Sequence, residues 1–156
     1  MSKERLLAEL QTQVGKQIHV GEWVAVDQAR IDRFADATGD HQWIHVDVGR
    51  AERESPYGAP IAHGFLTLSM IPMLTSSGAT DEPRYPGVKL TVNYGLDRVR
   101  FPAPVRAGSH VRARTTLKSV SEVPGGLQLV REVTVEVAEG DKPACVAETV
   151  SRLYFE

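Results

Sequence analysis

From Gly64 to Ser76 the chain carries Phe65, Leu66, Leu68, Met70, Ile71, Met73 and Leu74, which cover every side of a helix. A helix with no polar face has to be enclosed by other structure. Pro72 lies inside it and predicts a kink, because its ring clashes with a preceding carbonyl and it lacks an N–H. Upstream, residues 3–13 read as a short helix ended by Gly15, and residues 17–26 have the β-branched and aromatic content of a strand. Asp27 then caps a helix whose buried stripe is Ile31, Phe34, Ala35 and Thr38, with Gly39 ending it. Residues 40–62 read as irregular apart from one helical turn around Val48 to Arg53, with Ser55-Pro56-Tyr57-Gly58 and Ala59-Pro60 as loop chemistry.

Beyond the helix the period changes from 3.6 to 2. Val111, Ala113, Thr115 and Leu117 alternate with His110, Arg112, Arg114, Thr116 and Lys118, which predicts a half-buried strand. Pro124-Gly125-Gly126 is a turn, after which Val133, Val135 and Val137 alternate with Glu132, Thr134 and Glu136. Gly140-Asp141-Lys142-Pro143 turns the chain into a last strand over 144–155, and Val88 to Asp97 is a further strand candidate. One buried helix followed by antiparallel strands predicts an α+β fold with the sheet wrapped around that helix. No repeat, low-complexity tract or linker divides the 156 residues, so residues 1–156 are expected to form one domain.

Composition narrows the function. A net charge of −2 with scattered Lys and Arg gives no electrostatic case for nucleic acid or an anionic membrane. The apolar run at Gly64 to Leu74 is too short to span a bilayer. The N-terminus lacks a signal peptide's apolar core, which fits a cytoplasmic enzyme or binding protein. The single cysteine, Cys145, excludes an internal disulfide or a cysteine-based metal cluster, and its strand-like setting predicts a buried, inert thiol.

Three features within 25 residues carry the candidate chemistry: Asp40, His45, and His63-Gly64 at the entrance to the apolar helix. A carboxylate and an imidazole on a post-helical loop can converge on one water. Hydration of a conjugated thioester requires that, since water loses a proton as it attacks C3 while C2 gains one. The negative charge that develops on the thioester oxygen needs a donor, and a first-turn amide is one. Gly64 stands at that position, where the missing side chain admits close approach. Each residue also has an ordinary reading. Asp40 is a turn former after Gly39, His45 a structural imidazole, Gly64 a helix-start glycine, and His63 a structural residue orienting the loop. Asp40, His41 and His45 also imitate a metal triad, disfavoured because adjacent side chains at 40 and 41 point apart.

The string Phe34-x4-Gly39-Asp40-x4-His45-x-Asp47, with Ala51 and Pro60-Ile61-Ala62-His63-Gly64-Phe65, resembles the signature of MaoC-like (R)-specific enoyl-CoA hydratases. Asn93 to Val105 resembles the same family's second block, and the two together cover roughly residues 18–110. The resemblance implies a hotdog fold, an antiparallel sheet around a long central helix, and a homodimer joined edge to edge. It implies Asp40, His45 and Gly64 as catalytic, and Gln42, Trp43, Phe65, Asn93 and Tyr94 as substrate-binding. It further implies reversible syn hydration of a trans-2-enoyl-CoA to the (R)-3-hydroxyacyl-CoA, with an acyl-CoA thioester as partner and neither metal nor redox cofactor.

One departure stands out. The family's loop has Asn-Pro between the two catalytic positions, whereas this chain has Gln42-Trp43, a variant similar to the nodulation protein N-like branch. Gln42 can supply the loop-pinning hydrogen bonds, and Trp43 can fill the proline's place or line the channel. Two rival functions remain at this point: a hotdog thioesterase, and a non-catalytic acyl-thioester-binding accessory subunit. Arg98, Arg100 and Arg106 are candidates for the CoA phosphates.

Overall fold

The computed structural model describes residues 1–75 and 84–155. Six strands form one antiparallel sheet: β1 (Gln17–Val20), β2 (Val24–Val26), β3 (Leu90–Arg100), β4 (Ser109–Val123), β5 (Gly126–Val137) and β6 (Cys145–Tyr154). Their order is β1-β4-β5-β6-β3, with β2 also paired to β4. The alternation read from the sequence sets the faces. Val111, Ala113, Thr115 and Leu117 on β4 and Leu127, Leu129, Val133 and Val135 on β5 are buried on one side. On the other side Glu136 pairs with Arg112 and Arg114, and Lys118 with Glu132 and Glu148.

The helices are α1 (Lys3–Gln13), α2 (Gln28–Thr38), α3 (Trp43–Val46), α4 (Val48–Glu54), α5 (Gly64–Ser69) and α6 (Ile71–Thr75). The predicted caps are in place on α2. Asp27 accepts from the Arg30 amide at 2.8 Å, and Gly39 ends the helix at φ 81°, donating to Ala35. Val26, Ile31, Leu66, Met70, Ile71 and Leu74 pack with Val111, Val133 and Val135 in one core. Leu6 and Leu10 of α1 cover Leu117, Leu127, Leu129 and Leu153 in a second.

Several expectations need correction. The long central helix is two short ones, α5 and α6, separated at Met70. Pro72, which cannot donate to the Leu68 carbonyl, falls in the first turn of α6, where a missing N–H is tolerated. The expected end at Ser76 lies outside the described residues. Among the described residues the helical segment is enclosed on one side: Leu66, Met70, Ile71 and Leu74 are buried, whereas Phe65 is 67% exposed and Met73 41%. The strand expected at 17–26 is divided into β1 and β2 around Gly21. A further turn, α3, sits in the stretch read as irregular, β3 begins two residues later and runs on to Arg100, and β4 continues to Val123. Cys145 is fully buried, and burial pushes its thiol up to about 11.

Gly21 explains the break between β1 and β2. A Cβ there would lie 2.4 Å from the Leu74 carbonyl oxygen, so the absent side chain lets the strand pass against the end of α6. Gly21→Ala should force the two apart and destabilise the protein by about 1–3 kcal/mol. Urea unfolding checks this, and a midpoint unchanged from wild type would contradict so close an approach.

Candidate functional site

The loop after α2 places Asp40 beside the turn α3. His45 lies on α3 and is buried, although Asp40 itself is exposed. Backbone pairing fixes the turn, since the Ile61 amide donates to the Ile44 carbonyl at 3.0 Å. The His45 Nδ1–H donates to the Ile61 carbonyl at 2.7 Å, and Gln28 Nε2 on α2 donates to the His45 carbonyl at 2.8 Å. A carbonyl only accepts, so Nδ1 of His45 carries the proton and Nε2 is left with a lone pair.

His63 ties the second half of the site to the first. Its Nε2–H donates to the Asp40 carbonyl at 3.0 Å, and its ring stacks on His45 with centroids 3.9 Å apart and planes 24° from parallel. Phe34 of α2 closes against the same ring at 4.9 Å. His63 is therefore a buried post between the Asp40 loop, α3 and the start of α5, and its Nδ1 has no hydrogen-bond partner among the described residues. The Asp40 carboxylate and a ring nitrogen each of His45 and His63 all lie within 4.8 Å of one another. One water can bridge such a gap with two bonds of about 2.8 Å.

The same three donors are close enough to reach a cation by distance. Near-parallel stacked rings, however, hold their in-plane lone pairs side by side rather than aimed at one point about 2 Å from both nitrogens. The triad weighed from sequence is not assembled, because His41 turns away to Asp36 at 2.9 Å.

Gly64 follows His63 and opens α5, so its amide has no intrahelical acceptor. The Phe101 ring lies against it: a Cβ on Gly64 would meet ring atoms at 2.9–3.1 Å. Phe65 meets Phe101 edge-on at 6.0 Å. Gln42 precedes α3, and its backbone amide donates to Asp40 Oδ1 at 3.3 Å. Trp43 takes the first position of that turn, the place where proline is at home, and stacks under Arg50 at 4.2 Å. Asn93 and Tyr94 stand elsewhere, on β3, where they line a cavity of about 500 Å³ bounded by α5, α6 and the sheet. Arg98, Arg100 and Arg106 are all exposed.

With this geometry in view, comparison with known proteins decides the family. Residues 9–140 match the model of the MaoC like domain. A 3-hydroxyacyl-thioester dehydratase Z from Mycobacterium tuberculosis is 48% identical over 147 residues, covering 94% of each chain. The chain belongs to the MaoC-like dehydratase family. Nodulation protein N of Rhizobium leguminosarum bv. viciae is a further relative of this MaoC-like chain, 45% identical over 98% of it and 94% of that protein. Among solved structures, an (R)-hydratase from A. caviae involved in PHA biosynthesis superposes with a TM-score of 0.63. It is 24% identical and covers 87% of this chain and 97% of that one. The hotdog fold expected from the sequence is thereby shown, as is membership of the hydro-lyases. Among the described residues no helix is long and apolar enough to cross a membrane.

Sequence reading missed two features. Phe101 packs on Gly64 from 37 residues away, and no local pattern signals that. Arg131 lies on the inner face of β5 and lines the cavity. Its parity with Val133 and Val135 was visible in the sequence.

Electrostatics favour a neutral His45. Burial lowers its pKa below the ordinary 6.5; the bond to Ile61 opposes this, His63 adds to it, and Asp40 opposes it. A histidine whose folded pKa is depressed binds more protons when unfolded, so its contribution to stability is present above pH 6.5. That contribution is lost as pH falls through the folded value. NMR titration of the His45 ring should therefore give a midpoint below 6.5, and one above 6.5 would contradict the assignment.

Proposed function

We propose that the chain is an (R)-specific enoyl-CoA hydratase, catalysing reversible syn hydration of a trans-2-enoyl-CoA to the (R)-3-hydroxyacyl-CoA. The observation that carries this reading is the lone pair left on His45 Nε2 by the Ile61 bond, with a His45 ring nitrogen and the Asp40 carboxylate within 4.8 Å of each other. In the proposed reaction Asp40 accepts one hydrogen of that water and orients it. His45 Nε2 takes the other proton as the oxygen attacks C3. The same imidazolium then gives its proton to C2 from the face on which oxygen arrived, which is syn addition. The thioester oxygen, negative in the transition state, is held by the Gly64 amide. Dehydration is the same path reversed. His63 keeps the Asp40 loop and the His45 ring in register without touching the reacting atoms.

The acyl chain runs from Gly64 along α5 toward Asn93 and Tyr94, while Gln42, Trp43 and Phe65 border the entrance. A relative that acts as a 3-hydroxyacyl-thioester dehydratase supports the thioester substrate. We further propose a homodimer. β3 is an edge strand, and its exposed Leu90, Tyr94 and Leu96, together with the exposed Phe65 and Met73 of the helical segment, offer apolar surface for a second copy.

Crotonyl-CoA tests the reaction through loss of its conjugated-thioester absorbance. Asp40→Asn and His45→Asn should each lower kcat/KM by ~10²–10⁴-fold. Normal turnover by both variants would remove the assigned roles. Release of free CoA would identify a thioesterase, and saturable binding with no turnover an accessory subunit.

A further inference from the structure

The inner face of β5 holds a cation where the pattern calls for an apolar residue. Leu127, Leu129, Val133 and Val135 are buried on alternate positions, and the two-residue period puts Arg131 in the same inward row. Its ladder partners are Leu117 on β4 and Thr149 on β6, and Thr149 in turn faces Leu96 on β3. The acids of β5 point the other way: Glu132 reaches toward Lys118, and Glu136 pairs with Arg112 and Arg114 on the outer face.

Among the described residues the partners of the guanidinium are neutral. Nη1 donates to Ser151 Oγ at 3.0 Å and Nη2 to the Tyr85 hydroxyl at 3.4 Å, while Nε is buried with no acceptor among the described residues. Among the described residues no carboxylate pairs with it. A cation partly withdrawn from water, with no counter-charge among the described residues, is costly. Methionine or leucine would complete the core row without that cost, so packing alone does not account for an arginine here.

The cavity supplies the missing half of the argument. Its polar lining includes Arg131, Ser151, Thr149 and Asn93, and Leu68, Ile71 and Leu96 supply apolar walls. It begins at Leu68, one helical turn or ~6 Å of rise beyond Gly64. A ligand that fits has an apolar stem and an anionic end.

We propose that the cavity takes the far end of an acyl thioester whose chain terminates in a carboxylate, with Arg131 as the specificity-determining partner of that carboxylate. This rests on the reading of Asp40, His45 and Gly64 as the hydration site. Leu68, Ile71 and Leu96 enclose the methylenes, and the free donors of Arg131, with Ser151 beside them, bind the two carboxylate oxygens.

The test uses the full-length protein and pairs of 2-enoyl-CoA thioesters of equal carbon number, one ending in methyl and the other in carboxylate. Wild type should favour the carboxylate-ended member roughly tenfold or more in kcat/KM. Arg131→Met should cut that ratio by about 100-fold, and Arg131→Lys should keep part of it. The ratio is taken within one preparation, so a partly folded variant does not distort it. Saturated thioesters of the same two kinds, which cannot be hydrated, are measured in parallel by calorimetry. Tight binding of the carboxylate-ended form, lost in Arg131→Met, supports the role of Arg131 even with no turnover of either enoyl substrate; the hydratase reading would then fail alone. Preference for the methyl-ended form in turnover and binding, with a ratio unmoved by Arg131→Met, overturns the proposal.

Discussion

The bond from His45 Nδ1–H to the Ile61 carbonyl is the constraint on which the rest of the site depends. It fixes the tautomer, and so decides which nitrogen is free to accept a proton. It also fixes the ring's direction, because Ile61 is itself pinned to Ile44 through its amide. Burial then favours the neutral ring. Take away the bond and the imidazole could turn or exchange tautomers, and the lone pair on Nε2 would no longer be assured. His63 extends the constraint by stacking on the same ring while holding the carbonyl of Asp40. The short strap at 61–63 thus holds the His45 ring and the Asp40 backbone, and ends where α5 begins.

Much of this architecture was legible in the sequence because it follows from local chemistry. The Asp27 cap, the left-handed Gly39 and the alternation along β4 and β5 are properties of neighbouring residues, and the structure shows each of them. The spacing of Asp40 and His45 could be read too, although a spacing cannot show a tautomer. What escaped depends on distant parts of the chain. The gap between β1 and β2 exists because α6 approaches Gly21, and that helix is more than 50 residues away. Division of the apolar segment at Met70 needed knowledge of which turn would absorb Pro72. The exposed flank at Phe65 and Met73 could not be seen in a pattern that is apolar on every side.

Arg131 marks the boundary between these two kinds of information. Parity alone placed it inward, but its significance appears only when the sheet brings Thr149, Ser151 and Asn93 beside it and α5–α6 roofs the space. The protein then has two differently built ends to one channel. At the start of α5, in the proposed reaction, the groups move a proton. Beneath α6, in the proposed role of Arg131, they recognise what the chain carries. Gln42-Trp43 belongs to the first end, where Trp43 occupies a turn position suited to proline and is covered by Arg50. The departure from the family's loop is therefore absorbed locally.

The claim that Asp40 and His45 act together on one face of the substrate has a direct readout. Crotonyl-CoA hydrated in D2O by this protein should give (R)-3-hydroxybutyryl-CoA with a single deuteron at C2, on the face that received the hydroxyl, as read by proton NMR of the product. Both new bonds then come from the side on which the proposed pair, His45 and Asp40, stands. Deuterium on the opposite face, or an (S) centre at C3, would contradict the account.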